Sequence, residues 1–340
     1  MESSLIKHTL QFKVPSGTSR GVLTDKPSWF LVNQERGNIS ALAECSLIPG
    51  LSIDNPSGIE SIYHAYIDGQ DIPVDYPAFR FAQECLQMSK ASPNPFILYP
   101  SPWTEGRIGI PINGLIWMGE VSSMKSQIRD KIAQRYTCIK MKIGAIDFEE
   151  EYLVLKDLRR AYPASDITIR VDANGAFSVG EALEKLKRLA DLDIHSIEQP
   201  IKAGQWQEMA KLCDLSPLDI ALDEELIGVF SKEDQTNLLE TIRPSYIILK
   251  PSLLGGLAVS DQWIKIAEDL SIGWWATSAL ESNIGLNAIA QWTATKKVSM
   301  PQGLGTGGLY TNNIESPMNI KNGHIWYDHD GSWDLQNITI

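Results

Sequence analysis

Cys138-Ile139-Lys140-Met141-Lys142-Ile143, a helix-patterned stretch in which Phe148, Tyr152 and Leu155 share one face, and then Ile167-Thr168-Ile169-Arg170-Val171-Asp172-Ala173-Asn174: this run decides the fold. Two short apolar strands carry charges at their ends, and one returning helix lies between them, announced by the N-cap pattern Asp147-x-x-Glu150. Outward from this run the unit repeats. Strands are predicted at Ile108–Trp117, Cys138–Ile143, Ile167–Asp172, Ser196–Glu198, Ile220–Asp223, Tyr246–Lys250 and Trp274–Ser278, with one helical stretch between each pair. Met124, Ile128 and Ile132 form one apolar helix face, and Ser178-x-x-Glu181 is a second capping-box pattern. A strand and its returning helix take roughly 25–30 residues, and an open doubly wound sheet also fits that period. This many consecutive units points instead to a parallel barrel of the TIM type.

The first hundred residues follow a different pattern. Leu5–Val14, Ser28–Glu35 and Ile39–Leu47 read as strands, the last two joined through Arg36-Gly37-Asn38. Two helical stretches follow, the second (Tyr76–Lys90) carrying Phe79, Phe81, Ala82 and Cys85. Strands followed by helices predict an α+β unit. The Pro-rich segment from Pro93 to Pro102 is the natural boundary, because proline there forbids helix. The expected division is therefore an α+β unit over 1–102 and a barrel over 103–309, with the polar tail 310–340 returning to the first unit.

The chain has 340 residues, and its 30 Lys+Arg against 42 Asp+Glu leave a net charge of −12. Such a chain has no basic face to neutralise a phosphate backbone, so neither nucleic acid nor an anionic membrane is an expected partner. No apolar run is long enough to span a bilayer, and the first residues lack a signal-peptide pattern. The four cysteines form no CxxC pair, which suits buried thiols in a reducing cytoplasm.

In a parallel barrel the site lies at the C-terminal ends of the strands. Here those ends read Lys140-Met141-Lys142, Arg170-Val171-Asp172-Ala173-Asn174, Glu198-Gln199-Pro200, Asp223-Glu224-Glu225 and Lys250-Pro251. Lys140 and Lys142 share a strand face, as do Arg170 and Asp172. A single such charge would be a turn or a solvated edge, but five in succession after apolar runs would be costly to bury without purpose. Asp172, Glu198 and Asp223 offer hard oxygen ligands, with no Cys or His among them, so the expected ion is Mg²⁺ or Mn²⁺ rather than zinc. Lys142 and Lys250 bracket the triad. The set suits removal of a proton α to the carboxylate of a small-molecule substrate, with the ion and a lysine stabilising the charge that develops.

The pattern KxK, DxN, E, D, K on successive strands resembles the enolase superfamily, and its two lysines are similar to those of the muconate-lactonizing subgroup. The resemblance implies a (β/α)₇β barrel with an N-terminal α+β capping domain. Thr277–Gly285, Gln302–Tyr310 and Gly21–Leu31 resemble the o-succinylbenzoate synthases of menaquinone biosynthesis, which are Mg²⁺-dependent lyases. Racemases and epimerases on the same scaffold are the alternative. Carried to this sequence, the resemblance implies Lys142 as base, Lys250 as opposing cation, and Asp172, Glu198 and Asp223 as metal ligands. It further implies supporting roles for Lys140, Arg170, Asn174 and Glu224, and substrate contacts at Ser278, Ser282 and Gly305. The loop Ser16–Gly21 is expected to close over the barrel mouth. Gly303–Gly308 matches GxGxxG, but no helix pattern follows it, so it is not read as a dinucleotide site. His195 lies at the start of a strand, the wrong end for chemistry, and is read as structural.

Overall fold

The computed structural model describes residues 2–18 and 21–338. Three antiparallel strands open the chain: β1 (Glu2–Thr18), β2 (Gly21–Glu35) and β3 (Asn38–Ser46), paired in the order β1-β2-β3. Arg36 and Gly37, at φ 52 and 80, make the tight turn into β3. Helices α1 (Ile59–Ile67) and α2 (Pro77–Ala91) follow. Trp29, Leu31, Ala43 and Cys45 on one face of the sheet join Phe79, Phe81, Ala82 and Cys85 of α2 in the main core. The other face is also covered: Phe30, Val32 and Leu42 pack with Ile284, Ile314 and Ile338. Burial on both faces explains why β2 and β3 read as continuous apolar runs rather than alternating ones.

The parallel sheet contains β5 (Gly114–Ile116), β6 (Cys138–Lys142), β7 (Thr168–Asp172), β8 (Ser196–Glu198), β9 (Ile220–Leu222), β10 (Tyr246–Leu249) and β11 (Gly273–Ala276), each beside its sequence neighbour. Its connecting helices are α3 (Val121–Ala133), α4 (Phe148–Ala161), α5 (Val179–Ala190), α6 (Trp206–Leu215), α7 (Lys232–Ile242), the four-residue α8 (Pro251–Leu254) and α9 (Leu257–Asp269); α10 (Asn283–Ala294) follows β11. The sheet is curled, and beyond its edge strands two isolated parallel bridges reach one dipeptide: Gln302 bridges Ile112, before β5, and Gly303 bridges Thr277, after β11. A Cβ on Gly303 would stand 2.7 and 2.9 Å from Thr277 side-chain carbons, so this close approach requires glycine.

Three details depart from the sequence reading. The single strand expected over Ile108–Trp117 is two, because β4 (Ile110–Pro111) leaves the parallel sheet and joins β12 (Met318–Lys321) and β13 (His324–Tyr327) in the order β12-β13-β4. Pro111 has no N–H to offer a continuing ladder. Between β10 and β11 there are two helices rather than one, separated by Gly255 and Gly256 at φ 101 and 133. Finally, Ser178 and Glu181 form the expected capping box, whereas Asp147 caps α4 through the Glu149 N–H.

Asp54, in the loop before α1, carries a consequence for stability. Its Oδ1 accepts from the Ala78 and Phe79 N–H groups of α2 at 3.0 and 3.3 Å, while Oδ2 is buried without a partner. Burial pushes this carboxyl up to about 7, against the pull of the two backbone donors. A folded value above the unfolded one means the contribution is fully present below the ordinary carboxylate range and is lost as pH rises through about 7. Asp54→Asn is therefore expected to gain stability over the native protein between acid and neutral pH, on the order of a few kcal/mol. Denaturant titrations of both proteins across this range check it; a difference that does not change with pH would refute the assignment.

Candidate active site

Register places the strand-end charges in rows on one face. Lys140 is level with Arg170, Lys142 with Asp172, and Asp172 with Glu198. Asp223 and Lys250 stand directly after β9 and β10. The side chains converge. Lys140 Nζ bonds Glu198 Oε2 and lies 3.0 Å from Asp172 Oδ2. Lys142 Nζ donates to Asp172 Oδ2 at 3.0 Å and to Asn174 Oδ1 at 2.6 Å, and Lys250 Nζ bonds Asp223 Oδ2. Asn174 donates from its backbone to Asp172 Oδ1 and from its amide to Glu224 Oε1, both at 3.0 Å.

All three carboxylates and the Lys140 and Lys142 ammoniums are buried, so the charges act on each other strongly. Burial alone would raise the Asp172 carboxyl, but Lys140, Lys142 and Lys250 outweigh it and hold Asp172 far below the ordinary carboxylate range. Glu198 goes the other way, raised by burial and by the neighbouring Asp172 charge. Burial works to lower Lys140 and Lys250; the carboxylates of Asp172 and Glu198 reverse this for Lys140, as Asp223 does for Lys250.

Above these groups is a cavity of about 410 Å³. Its floor holds Lys140, Lys142, Asp172 and Lys250, and its rim is contributed by the N-terminal unit through Val22 and Leu23 of β2 and Ile48–Leu51 after β3. The mouth is thus apolar and the floor charged, a layout suited to a small organic anion. Of the expected lid, Ser19 and Arg20 lie outside the described residues; Gly21 lines the cavity.

The donor set fits a hard divalent cation: three buried carboxylates, with Glu198 Oε1 left without a hydrogen-bond partner. Among the described residues, no three His, Cys, Asp or Glu side chains are gathered into a ligating group as they stand. Each of the three carboxylates instead has an oxygen in contact with a lysine Nζ.

Residues 123–330 match the family of enolase C-terminal domain-like proteins. The chain is 46% identical to the o-succinylbenzoate synthase of Desulfotalea psychrophila, over 95% of this chain and 98% of that protein. The crystal structure of MenC from Desulfotalea psychrophila superposes with a TM-score of 0.83 at 43% identity, covering 96% of this chain and 99% of that one. The chain belongs to the o-succinylbenzoate synthase branch of the enolase superfamily. It is an enzyme. More distant similarity reaches the N-succinylamino acid racemase of Thermus thermophilus, 34% identical over 45% of this chain and 39% of that protein. The fold is also that of the muconate lactonizing enzyme from Pseudomonas fluorescens, with a TM-score of 0.82 at 21% identity over 99% of this chain and 97% of that one.

Two residues that the family resemblance brought toward the site are placed elsewhere. Arg170 shares the face of Asp172 but does not orient the carboxylates through hydrogen bonds. Its guanidinium lies over the Trp275 ring, 4.0 Å from the centroid, and donates to the Pro301 carbonyl at 2.8 Å. Residue 170 is two positions earlier on β7, one layer below the carboxylates. Ser282 does not line the cavity either. It is the N-cap of α10, and its hydroxyl bonds Glu44 of β3 at 2.5 Å. Ser278, Gly305 and Thr306 do line the cavity, with Thr306 Oγ1 donating to Ser278 Oγ at 2.9 Å. His195 stacks on Tyr246, ring centroids 5.1 Å apart, at the start of β8.

Three further residues support the site, of which Glu151 was given no role in the sequence and Gln199 and Glu225 stood in the strand-end runs without a settled one. Glu151, buried on α4, accepts from the Gly144 N–H at 2.8 Å and so holds the loop that follows Lys142. Gln199 accepts from the Asp223 N–H at 3.2 Å and donates to Glu225 at 2.9 Å, while Glu225 accepts from the Gly204 N–H at 2.7 Å. These contacts lock the strand ends that carry Glu198 and Asp223. The available signal was local: each is a polar residue within nine positions of a strand-end charge.

Proposed function

We propose that this enzyme is a lyase that dehydrates 2-succinyl-6-hydroxy-2,4-cyclohexadiene-1-carboxylate to o-succinylbenzoate in menaquinone biosynthesis, with proton and hydroxyl leaving from one face. The observation that carries this reading is the near full-length match to an o-succinylbenzoate synthase, against a match to the racemase over less than half the chain. In this reading Asp172, Glu198 and Asp223 hold Mg²⁺, with Mn²⁺ as a substitute. The ion supplies positive charge beside the substrate carboxylate, which makes the α-proton acidic enough to remove. Lys142 Nζ, as the neutral amine, takes that proton to become the ammonium and returns it to the departing hydroxyl, which leaves as water, so the amine is regenerated. Lys250, bonded to Asp223, contributes positive charge from the other side. Asn174 holds Lys142 and Asp172 in line, and Gly305 and Ser278 form part of the cavity wall against which the substrate rests. The fold reading belongs to the same proposal: residues 103–309 form a (β/α)₇β barrel with Gln302-Gly303 as its closing strand. Residues 1–102, completed by 310–340, form the capping domain.

The alternative on the same residues is racemisation of N-succinylamino acids, which needs a base on each face. Lys250→Arg separates the two, because guanidinium keeps the charge and does not deprotonate. The variant is expected to retain measurable dehydration while losing racemisation. Turnover of the cyclohexadiene carboxylate, and α-proton exchange of each N-succinylamino acid enantiomer in deuterated water, give the readout. A Lys250→Arg protein without dehydration but with exchange from one enantiomer would overturn the lyase assignment.

A further inference from the structure

Behind the cavity wall lies a buried polar network that the reaction as proposed does not use. Lys26 of β2 is fully buried, and its ammonium bonds the Ser46 hydroxyl. Ser46 and Ser28 are 2.7 Å apart, and Ser28 donates to Glu44 Oε1 at 2.7 Å. Glu44 then crosses to the other unit. It accepts from the Ser282 N–H at 2.9 Å, the Ser282 hydroxyl at 2.5 Å and the Gly285 N–H at 2.9 Å, and so caps α10 from outside.

Glu281, the neighbour of Ser282, is fully buried and grips the site from behind. One oxygen accepts from Ser252, two residues beyond Lys250. The other accepts from Ser278 at 2.5 Å, and Ser278 in turn takes the Leu280 N–H at 3.0 Å and the Thr306 hydroxyl at 2.9 Å. The Ser278 proton and both its lone pairs are thereby committed. The packing leaves no slack, since a Cβ on Gly285 would fall 2.7 Å from Glu281 Cβ and 3.0 Å from Glu44 Oε2. Two buried carboxylates need a counter-charge. Lys26 is tied to Glu44 through the Ser46 and Ser28 hydroxyls, and both carboxylates act on its charge: burial lowers its ammonium and Glu44 and Glu281 pull it back, while Glu281, raised by burial, is drawn down first by Lys26.

We propose that Lys26 and Glu281 are positioning residues: the N-terminal unit, through the Lys26–Ser46–Ser28–Glu44 chain and the Glu44 bonds to Ser282 and Gly285, fixes the segment that carries Glu281, and Glu281 fixes both the Lys250 segment and the Ser278–Thr306 wall. The inference rests on the site reading above.

The test uses Glu281→Gln, Lys26→Met and the double variant. Glutamine turns one acceptor into a donor, so one serine is left facing an N–H. Glu281→Gln is expected to lower kcat by about 10–100-fold, as for a group displaced by a fraction of an ångström to an ångström. Lys26→Met is expected to lower both kcat and the melting temperature. The double variant should recover part of the melting temperature lost in Lys26→Met, because one of the two uncompensated carboxylates is gone, but not kcat. Amide exchange at Leu280 should quicken in Glu281→Gln. Wild-type kcat and KM in Glu281→Gln, unchanged exchange at Leu280, or a double variant that recovers kcat would each overturn the proposal. The exchange measurement needs no turnover. If the native protein fails to dehydrate the substrate, the reaction assignment falls while exchange still decides the network.

Discussion

Lys142→Ala is expected to lower kcat/KM for dehydration by at least about 10²–10⁴, the usual contribution of a general base. The site offers no substitute. Lys140, on the same strand face, is engaged by Glu198 and Asp172, and Lys250 is held on Asp223. Lys142 also donates to Asn174 at 2.6 Å, so its removal frees an amide but creates no base. Asp172 keeps Lys140 at 3.0 Å, so the variant should still fold, with a cooperative thermal transition. Steady-state kinetics with a melting curve on the same preparation check both statements. A folded Lys142→Ala protein with activity within tenfold of the native enzyme would remove Lys142 from the role of base.

Removal of divalent ions is expected to abolish turnover, and Mg²⁺ or Mn²⁺ to restore it. The physical reason is acidity: an α-proton beside a carboxylate is too weakly acidic for an amine acting alone, so charge must be supplied where it develops. Asp172, Glu198 and Asp223 are buried carboxylates within reach of the lysines, and Glu198 Oε1 has no hydrogen-bond partner among the described residues. Asp223→Asn should weaken Mg²⁺ binding by more than the roughly 10–100-fold that loss of an outer partner costs. Titration calorimetry reads this directly and separates lost metal from lost turnover. Full activity in excess chelator would end the metal reading.

Much of this was legible in the sequence because it is local. The strand–helix period, the capping box at Ser178 and the charges closing five apolar runs depend on residues a few positions apart, and side-chain alternation alone places Lys140 beside Lys142 and Arg170 beside Asp172. Those features were enough to name the family and to gather Lys142, Asp172, Glu198, Asp223 and Lys250. Depth along a strand was not legible, so Arg170 was placed with the carboxylates although it sits a layer below, against Trp275. Nor could sequence show that Ser282 turns to Glu44, a contact spanning 238 positions. The same holds for β4 pairing with the tail strand β13, and for Gln302-Gly303 standing between the two sheet edges. Lys26 belongs to the Gly21–Leu31 stretch that carries the family resemblance, but its role emerges only when folding removes water from it and links it through Ser46 and Ser28 to Glu44. Local periodicity and charge placement therefore determined the run of strands and helices and the strand-end charges to which the proposed chemistry is assigned. The supports behind them were decided by tertiary structure, because a buried polar group takes whatever partner the closed fold brings within hydrogen-bond reach.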